Sequence, residues 1–282
     1  MINKIRSFIG VLQESKNPGK LICAQFLVKT GLNKYFTIPM NGYKLKFSES
    51  ALAVTLFADR HERHEDEDLV RKILNSGDVY VDVGANIGTL ALTAATAVMP
   101  TGEVIAIEAH PETFKKLEEN IRLNQFEIRA INSAAGNTKG SIRFSNINSD
   151  DQNKVMADGG TGIDVQVNTL DSILHDVKQI NLLKIDVEGY EKFVLEGALQ
   201  TMQRTGVILF ESWDKHFQGF GYSVADVVHL LQQNGFRVFK PVDDALMPIP
   251  GDYTSSQCEN LIALKDPKGF CDHTGFKMLH TK

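Results

Sequence analysis

The stretch from Val79 to Gly88 constrains the fold of this chain more than any other part of the sequence. It begins with an apolar run, Val79 to Val83, that admits a single acid, Asp82. Such a run is typical of a strand that is buried on both faces of a parallel sheet. Two glycines follow, and glycine accepts positive φ and leaves room for a ligand beside the backbone. The stretch therefore predicts a buried strand, a tight turn and a helix over 87–98.

The predicted turn is a candidate binding site for a polar ligand. A helix that starts here directs its free N–H groups and its positive dipole end into the turn. The nicotinamide fingerprint G-x-G-x-x-G is not matched, because its second and third glycine positions fall on Asn86 and Thr89. Asn86 is, however, among the few residue types that tolerate a left-handed conformation. A structural turn that binds nothing is the alternative interpretation.

Buried strands and helices alternate along the rest of the chain. Further strands are predicted at 103–108, 127–132, 180–188, 206–211, 236–239 and 261–264, the last of these closing the fold. A helix is predicted over 190–202, and Asn168 is expected to cap a short helix. Short strands at 141–144 and 163–167 flank a polar loop over 145–162. This alternation predicts a doubly wound, mostly parallel α/β sheet, with ligands outside the carboxyl ends of its strands.

Acidic residues lie at the carboxyl ends of three predicted strands. Glu108 ends the strand after the turn, about 20 residues beyond Gly88, where a carboxylate meets the hydroxyl groups of a bound ribose. The alternative role for Glu108 is to cap the helix that begins at Pro111. Small residues over 133–136, with Ala135 among them, leave room for a flat ring beside the backbone. Glu211 ends a later strand, and His216 follows it as a candidate base.

A second polar group lies on the strand predicted over 180–188. Residues two apart on a strand share a face, so Lys184, Asp186 and Glu188 are expected to line up on one side. Ionisable groups on a core strand are costly unless they serve a site. We therefore expect Asp186 and Glu188 to lie at the edge of the sheet beside the turn.

Composition and charge narrow the class of protein. With 282 residues and 43% hydrophobic content, the chain fits one α/β domain with an addition. We expect an N-terminal extension over 1–60, with a helix near Ile5 to Leu12 and a hairpin from Tyr35 to Phe47, and the α/β domain over 61–282. The net charge of −5 disfavours a nucleic-acid partner. The three cysteines are odd in number and widely spaced, so free thiols are expected.

The first 50 residues are basic, with eight lysines and arginines against two glutamates. Solvated lysines explain this charge, and contact with an anionic membrane surface or a partner is the alternative. The segment from Met1 to Leu12 is too short and too charged to span a bilayer, and no small-residue cleavage site follows it. We therefore expect a cytoplasmic protein without a transmembrane segment. The oligomeric state does not follow from the sequence.

Several segments, taken together and in order, resemble the FkbM-type family of S-adenosylmethionine-dependent methyltransferases. The turn is similar to the acid-x-Gly-x-Gly-x-Gly motif of such enzymes, with Asn86 in place of the middle glycine. The resemblance covers roughly residues 78–240, and it is carried by Val81–Gly88, Glu108–Pro111, Thr169–Asp171, Lys184–Gly189 with Glu191, and Phe210–Glu211. It implies a seven-stranded Rossmann-like sheet and O-methylation of a hydroxyl on a sugar, glycan or natural product.

The resemblance also implies roles for individual residues. The methionine end of the cofactor would lie against Asp82, Gly84, Ala85, Asn86 and Gly88, and the rest of it against Glu108, Ala109 and Ala135. The acceptor hydroxyl would face the catalytic candidates Asp186, Glu188 and Glu211, with Lys184 and His216 beside them. Asp186, Glu188 and Glu211 would be the ligands if a divalent cation takes part. A cofactor-binding module without turnover, and less favourably a nicotinamide oxidoreductase, remain the alternatives.

Overall fold

The computed structural model describes residues 16–62, 64–145, 155–156 and 162–279. The helix predicted near Ile5 to Leu12 lies outside these residues, as does most of the loop predicted over 145–162. Within the described residues, no helix is long and apolar enough to cross a bilayer. Cys23, Cys258 and Cys271 are free thiols, as predicted.

The strands alternate with helices along the chain, as predicted. In chain order the described strands are β1 (Thr37–Pro39), β2 (Lys44–Lys46), β3 (Val79–Val83), β4 (Glu103–Glu108), β5 (Ile128–Asn132), β6 (Ala134–Ala135), β7 (Gly140–Ser145), β8 (Gly162–Asn168), β9 (Ile180–Ile185), β10 (Thr205–Ser212), β11 (Arg237–Val242), β12 (Ala245–Pro248), β13 (Glu259–Leu264) and β14 (Lys277–Met278). The α-helices are α1 (Pro18–Lys29), α2 (Ala51–Ala58), α3 (His64–Ile73), α4 (Thr89–Val98), α5 (Pro111–Asn124), α6 (Leu170–Ile173), α7 (Glu191–Glu196), α8 (Leu199–Gln203), α9 (Asp214–Gln218), α10 (Val224–Gln233) and α11 (Pro267–Thr274).

The central sheet confirms the predicted doubly wound α/β class. Among the described residues it has nine strands in the order β14-β12-β11-β13-β10-β9-β3-β4-β5. The neighbouring strands β5, β4, β3, β9 and β10 run parallel to one another, and β13 pairs antiparallel to both β10 and β11. The last seven strands of this order form the core, and the short strands β12 and β14 extend one side. The carboxyl ends of β3, β4, β9, β10 and β11 therefore share one edge of the sheet with the amino end of β13.

Helices cover both faces of this sheet, which is why its central strands are largely apolar. On one face, residues of α3, α4, α5 and α11 pack with Tyr80, Ala106 and Leu209. On the other face, residues of α6, α7, α8 and α10 pack with Val81, Ile185 and Phe210. A strand buried in this way places its last side chains at the edge, where helices no longer cover them.

The residues before β3 pack against the helix that follows the central turn. The predicted hairpin is present as β1 and β2, which pair antiparallel around Asn41-Gly42. Leu45, Phe47 and Leu56 form a core with Ile87 and Leu92. Two asparagines of α5 accept hydrogen bonds from the backbone N–H groups of Lys44 and Lys46. The hairpin is therefore fixed to the side of the sheet that carries β3 and β4.

Several predicted boundaries are wrong for local reasons. β9 ends at Ile185, so Asp186 and Glu188 lie in the following turn and do not share a strand face with Lys184. The helix predicted over 190–202 is two helices, α7 and α8, with Gly197 between them. A Cβ on Gly197 would overlap with the carbonyl oxygen of Gly136, so the chain bends where the two backbones meet.

Three further differences concern ends of elements. α4 begins at Thr89, because Gly88 precedes it in a left-handed conformation with φ of 94°. Thr169, not Asn168, caps α6 by accepting the N–H of Ser172. β13 is not the last strand, and the pairing of β12 and β14 at the edge of the sheet was not predicted.

Candidate active site

A cavity opens at the carboxyl edge of the sheet, above β3, β4 and β9. Its empty space, including the open mouth, is about 910 Å³. Its lining brings together ten residues that the sequence singled out: Asp82, Gly84, Ala85, Asn86, Glu108, Ala109, Ala135, Lys184, Asp186 and Glu188. Residues separated by about 100 positions in the sequence thus meet in one place.

Three predicted site residues do not line this cavity. Gly88 faces the protein interior, where a Cβ would lie 2.6 Å from Cδ1 of Leu117, so its missing side chain serves packing. Glu211 and His216 lie next to the cavity, beside Glu188. No local pattern indicated the lining residues Leu52, Phe144, Val155 and Tyr190, which come from distant segments.

The turn after β3 is held by hydrogen bonds to the end of β4 and by close packing against Asp186. The N–H groups of Gly84 and Ala85 donate to the carbonyl of Ile107 at 2.9 and 3.0 Å. Gly84 has φ of +83°, and a Cβ there would overlap with the carbonyl oxygen of Asp186. Asn86 is left-handed, with φ of 50°, as its position predicts. The turn therefore needs glycine at position 84 to pack against the end of β9.

Glu108 connects this turn to the end of β4. Its Oε2 accepts the N–H of Asn86 at 2.9 Å, and its Oε1 accepts the N–H of His110 at 2.8 Å. The residue is only 8% exposed but lines the cavity. Because each carboxylate oxygen has two acceptor positions, Glu108 can hold the turn and also accept hydrogen bonds from a ligand.

Lys184 lies between two acids at the base of the cavity. Asp82 is opposite Lys184 in the pairing of β3 with β9, and Asp186 Oδ2 lies 2.8 Å from Lys184 Nζ. Burial raises the pKa of Asp82 to about 6, although Lys184 opposes this change. Burial works against the charge of Lys184, but Asp186 and Asp82 outweigh it and raise the lysine pKa. Within the described part of the chain, Asp82 Oδ1 is buried without a hydrogen-bond partner.

A second polar cluster, formed by Glu188, Glu211 and His216, lies beside the cavity. His216 Nδ1 is 3.5 Å from Glu188 Oε2 and 3.8 Å from Glu211 Oε2. Cys258 was not predicted here, and its thiol donates to Glu211 Oε1 at 3.0 Å. One ligand-type atom from each of the three cluster residues lies within 4.8 Å of the others. The cluster can therefore accept a proton at His216 or bring three ligands toward one cation.

Another cavity, of about 1370 Å³, lies at the same edge of the sheet beyond Glu211. The amino end of α3 and the ends of β11 and β13 line it, including Asp66, Lys240 and Asn260. Asn260 is opposite Glu211 in the pairing of β10 with β13, and its Nδ2 donates to Asp66 Oδ1 at 2.9 Å. This polar cavity, which the sequence did not indicate, therefore adjoins the cluster around His216.

Comparison with known proteins identifies similar chains. The profile of the family described as Methyltransferase FkbM domain matches residues 82–238. The hexuronic acid methyltransferase AglP of Haloferax volcanii is 28% identical over 192 residues, which are 65% of this chain and 77% of that protein. Methyltransferase sdnD of Sordaria araneosa is 24% identical over 178 residues, 50% of this chain and 68% of its own length.

Solved structures also align with this chain. The precorrin-6y C5,15-methyltransferase of Geobacter metallireducens aligns with a TM-score of 0.44 and 13% identity, over 72% of this chain and 88% of that one.

Proposed function

The chain belongs to the FkbM methyltransferase domain family and is an S-adenosylmethionine-dependent methyltransferase, and on this premise we propose that it methylates a hydroxyl group of a sugar, glycan or natural-product acceptor. The observation that carries the proposal is the contact between the cavity over β3 and β4 and the cluster of Glu188, Glu211 and His216. The similarity to a hexuronic acid methyltransferase supports a sugar as the acceptor.

The residues of the first cavity fit the cofactor in charge and in hydrogen-bonding groups. Asp82 offers a buried oxygen without a hydrogen-bond partner among the described residues, which suits the ammonium group at the methionine end. Glu108 offers acceptor positions for the ribose hydroxyls, and Ala109 and Ala135 leave space for the adenine ring. When bound, the cofactor supplies an electrophilic methyl group on a sulfonium centre. We assign Gly84, Ala85 and Asn86 to the wall beside its methionine end.

The acceptor hydroxyl loses a proton during methyl transfer, and the cluster provides a base for it. We propose that His216 accepts this proton, while Glu188 and Glu211 stabilise the resulting imidazolium. Asp186 is held by Lys184, so we assign it to orientation of the acceptor. Because the chemistry needs an in-line approach of oxygen to methyl carbon, alignment by these groups is expected to contribute most of the rate.

A divalent cation bound by this cluster is a second candidate for activating the acceptor hydroxyl. Two ligands that each lie about 2.1 Å from a cation are at most about 4.2 Å apart, and both separations from His216 Nδ1 satisfy this limit. The ligand set we propose is Glu188, Glu211 and His216, because Asp186 is paired with Lys184. A cation here would orient the hydroxyl and lower its pKa.

The second cavity is where we place the remainder of the acceptor. It lies beyond Glu211 at the same edge of the sheet, and side chains with many hydrogen-bonding groups line it, as a polyhydroxylated ligand requires. Lys240 forms an ion pair with Glu259 at 2.6 Å, so this wall is already organised without a ligand.

Titration with S-adenosylhomocysteine and a radiolabelled transfer assay on a panel of sugars, including hexuronic acids, test the proposal. We expect binding of the cofactor product and label on a hydroxyl oxygen. Asp186→Asn and Glu188→Gln should reduce transfer strongly and change cofactor affinity only a few-fold. Binding without transfer to any hydroxyl compound would favour a module without turnover. Chelator treatment followed by addition of Mg²⁺ or Mn²⁺ distinguishes activation by a cation from activation by the His216 base, because only activation by a cation requires metal.

A further inference from the structure

Glu191 is a buried acid that the proposed chemistry does not use. It is the first residue of α7 and has no exposed surface. Its Oε1 accepts two backbone hydrogen bonds, from the N–H of Val187 at 3.0 Å and from the N–H of Gly189 at 3.3 Å. Within the described residues, its Oε2 is buried without a hydrogen-bond partner. The carboxyl group therefore lies directly beneath the turn that follows β9.

This turn sets the direction of Glu188. Glu188 lies between the two N–H donors and is left-handed, with φ of 57°, which is unusual for a residue with a side chain. Tyr222 closes the other side, since its hydroxyl donates to the carbonyl of Gly189 at 2.7 Å. Gly189 also packs on His216, where a Cβ would lie 3.0 Å from the His216 carbonyl oxygen. The turn thus brings Glu188 to His216 in a conformation that the chain does not favour by itself.

We propose that Glu191 is a positioning residue, which holds the turn over 187–189 and thereby fixes Glu188 beside His216. The inference rests on the proposed role of the Glu188 and His216 pair in methyl transfer. It assigns a function to an acid that touches neither the cofactor cavity nor the cluster. Loss of its two hydrogen bonds is expected to release Glu188 from its left-handed conformation, because that conformation is unfavourable for a residue with a side chain.

Glu191 performs this role as a neutral acid. Burial raises its pKa to about 8, although the N–H of Val187 opposes the change. The charged groups that act on it are Glu211 and Asp186, and both raise its pKa further. The hydroxyl of Tyr222 packs against it and has its own pKa raised by burial and by Glu191. Glutamine is therefore a close mimic, because it keeps one carbonyl oxygen for both N–H groups and carries no charge.

The test measures the titration of His216 by NMR in the wild type and three variants, in the presence of EDTA and without any acceptor. Glu188→Gln removes the carboxylate 3.5 Å from His216 Nδ1 and should lower the midpoint by about one pH unit. Glu191→Leu should lower the midpoint in the same direction, whereas Glu191→Gln should keep the wild-type value. A wild-type midpoint in folded Glu191→Leu would overturn the proposal.

Further variants and a second measurement keep the outcome decisive. Glu191→Met, which has a flexible chain of similar volume, replaces Glu191→Leu if that variant does not fold. If neither folds, the glutamine variant decides, and a shifted His216 midpoint there contradicts the inference.

The neutral state of Glu191 is tested by the pH dependence of unfolding. Between about pH 5 and 8, the unfolding equilibrium constant of the wild type should rise about tenfold per pH unit relative to that of Glu191→Gln. Equal pH dependence would contradict the neutral state. Loss of S-adenosylhomocysteine binding in the wild type would contradict the proposed cofactor site and leave this test valid.

Discussion

Lys184 Nζ lies 2.8 Å from Asp186 Oδ2, and the same lysine is opposite Asp82 on the neighbouring strand. One buried cation therefore interacts with an acid that we assign to the cofactor site and with an acid that we assign to the acceptor site. Lys184 therefore affects both the stability of this edge of the sheet and the charge of the site.

Removal of this lysine is expected to destabilise the fold. Lys184→Met leaves Asp82 and Asp186 without their shared cation in a buried setting, where breaking such a pair costs about 3–5 kcal/mol. Urea denaturation at pH 7 measures the loss. Lys178→Met, at an exposed position, should change the free energy of unfolding by less than about 0.5 kcal/mol. Similar stabilities of the two variants would show that Lys184 is not the partner that keeps both acids charged.

Cofactor affinity is expected to increase with pH around the pKa of Asp82. That pKa is about 6, against an ordinary value of 3.8, so the carboxylate that attracts an ammonium group forms as pH rises through 6. Calorimetric titration with S-adenosylhomocysteine at pH 5 and pH 7.5 should show tighter binding at the higher pH, and Asp82→Asn should remove most of this difference. The stability contribution has the opposite sign, because a raised pKa lowers stability as pH rises from about 4 to 6. Equal wild-type affinities at both pH values would remove Asp82 from the ammonium site.

Gly84 is expected to be needed for folding as well as for the cavity. Gly84→Ala combines positive φ with an overlap between the new Cβ and the carbonyl oxygen of Asp186. Gly221→Ala is a matched control, since Gly221 has φ of +78° and nothing within 4 Å of a Cβ. The control should lose about 1–2 kcal/mol of unfolding free energy, the usual cost of a left-handed alanine, and Gly84→Ala should lose more. Equal losses would mean that the turn moves away from the end of β9 at little cost.

Cys258 is expected to react slowly with alkylating reagents. Burial raises the pKa of its thiol, and its hydrogen bond to Glu211 raises it further. Cys23 and Cys258 are both exposed, but the thiolate is the reactive form, so at pH 8 iodoacetamide should label Cys23 before Cys258. Glu211→Gln should speed the labelling of Cys258, which peptide mass spectrometry follows, while Glu196→Gln serves as a control for a distant acid. Unchanged labelling in Glu211→Gln would show that the thiol does not sense the cluster.

The sequence predicted those features that have a local cause. β3 and β4 were placed at their observed ends, because a strand that is buried on both faces is apolar until it reaches the edge. The end of β9 was misplaced, since the alternation of Lys184, Asp186 and Glu188 has the period of a strand although the chain turns after Ile185. Local periodicity does not distinguish these two cases.

Other parts of the site depend on contacts between distant segments. Asp66 and Asn260 meet across 194 positions, and Cys258 reaches Glu211 across 47. None of these residues lies in a pattern that indicates a partner. Glu191 lies in a segment that resembles the family, but its position beneath the turn over 187–189 depends on how the chain folds after β9.

The antiparallel direction of β13 brings a segment from outside the family match to the edge of the sheet that carries the cavities. The amino end of β13, with Glu259 and Asn260, reaches this edge from residues beyond 238, where the family match ends. Residues 249–258 lead into this end, and Ser255 joins them to α9 through hydrogen bonds with Asp214. The turn after β3 is fixed by the packing of Gly84 on Asp186. If the acceptor binds at this edge as we propose, we expect replacement of Glu259 and Asn260 by the residues of another family member to change acceptor preference and to leave the turn after β3 intact.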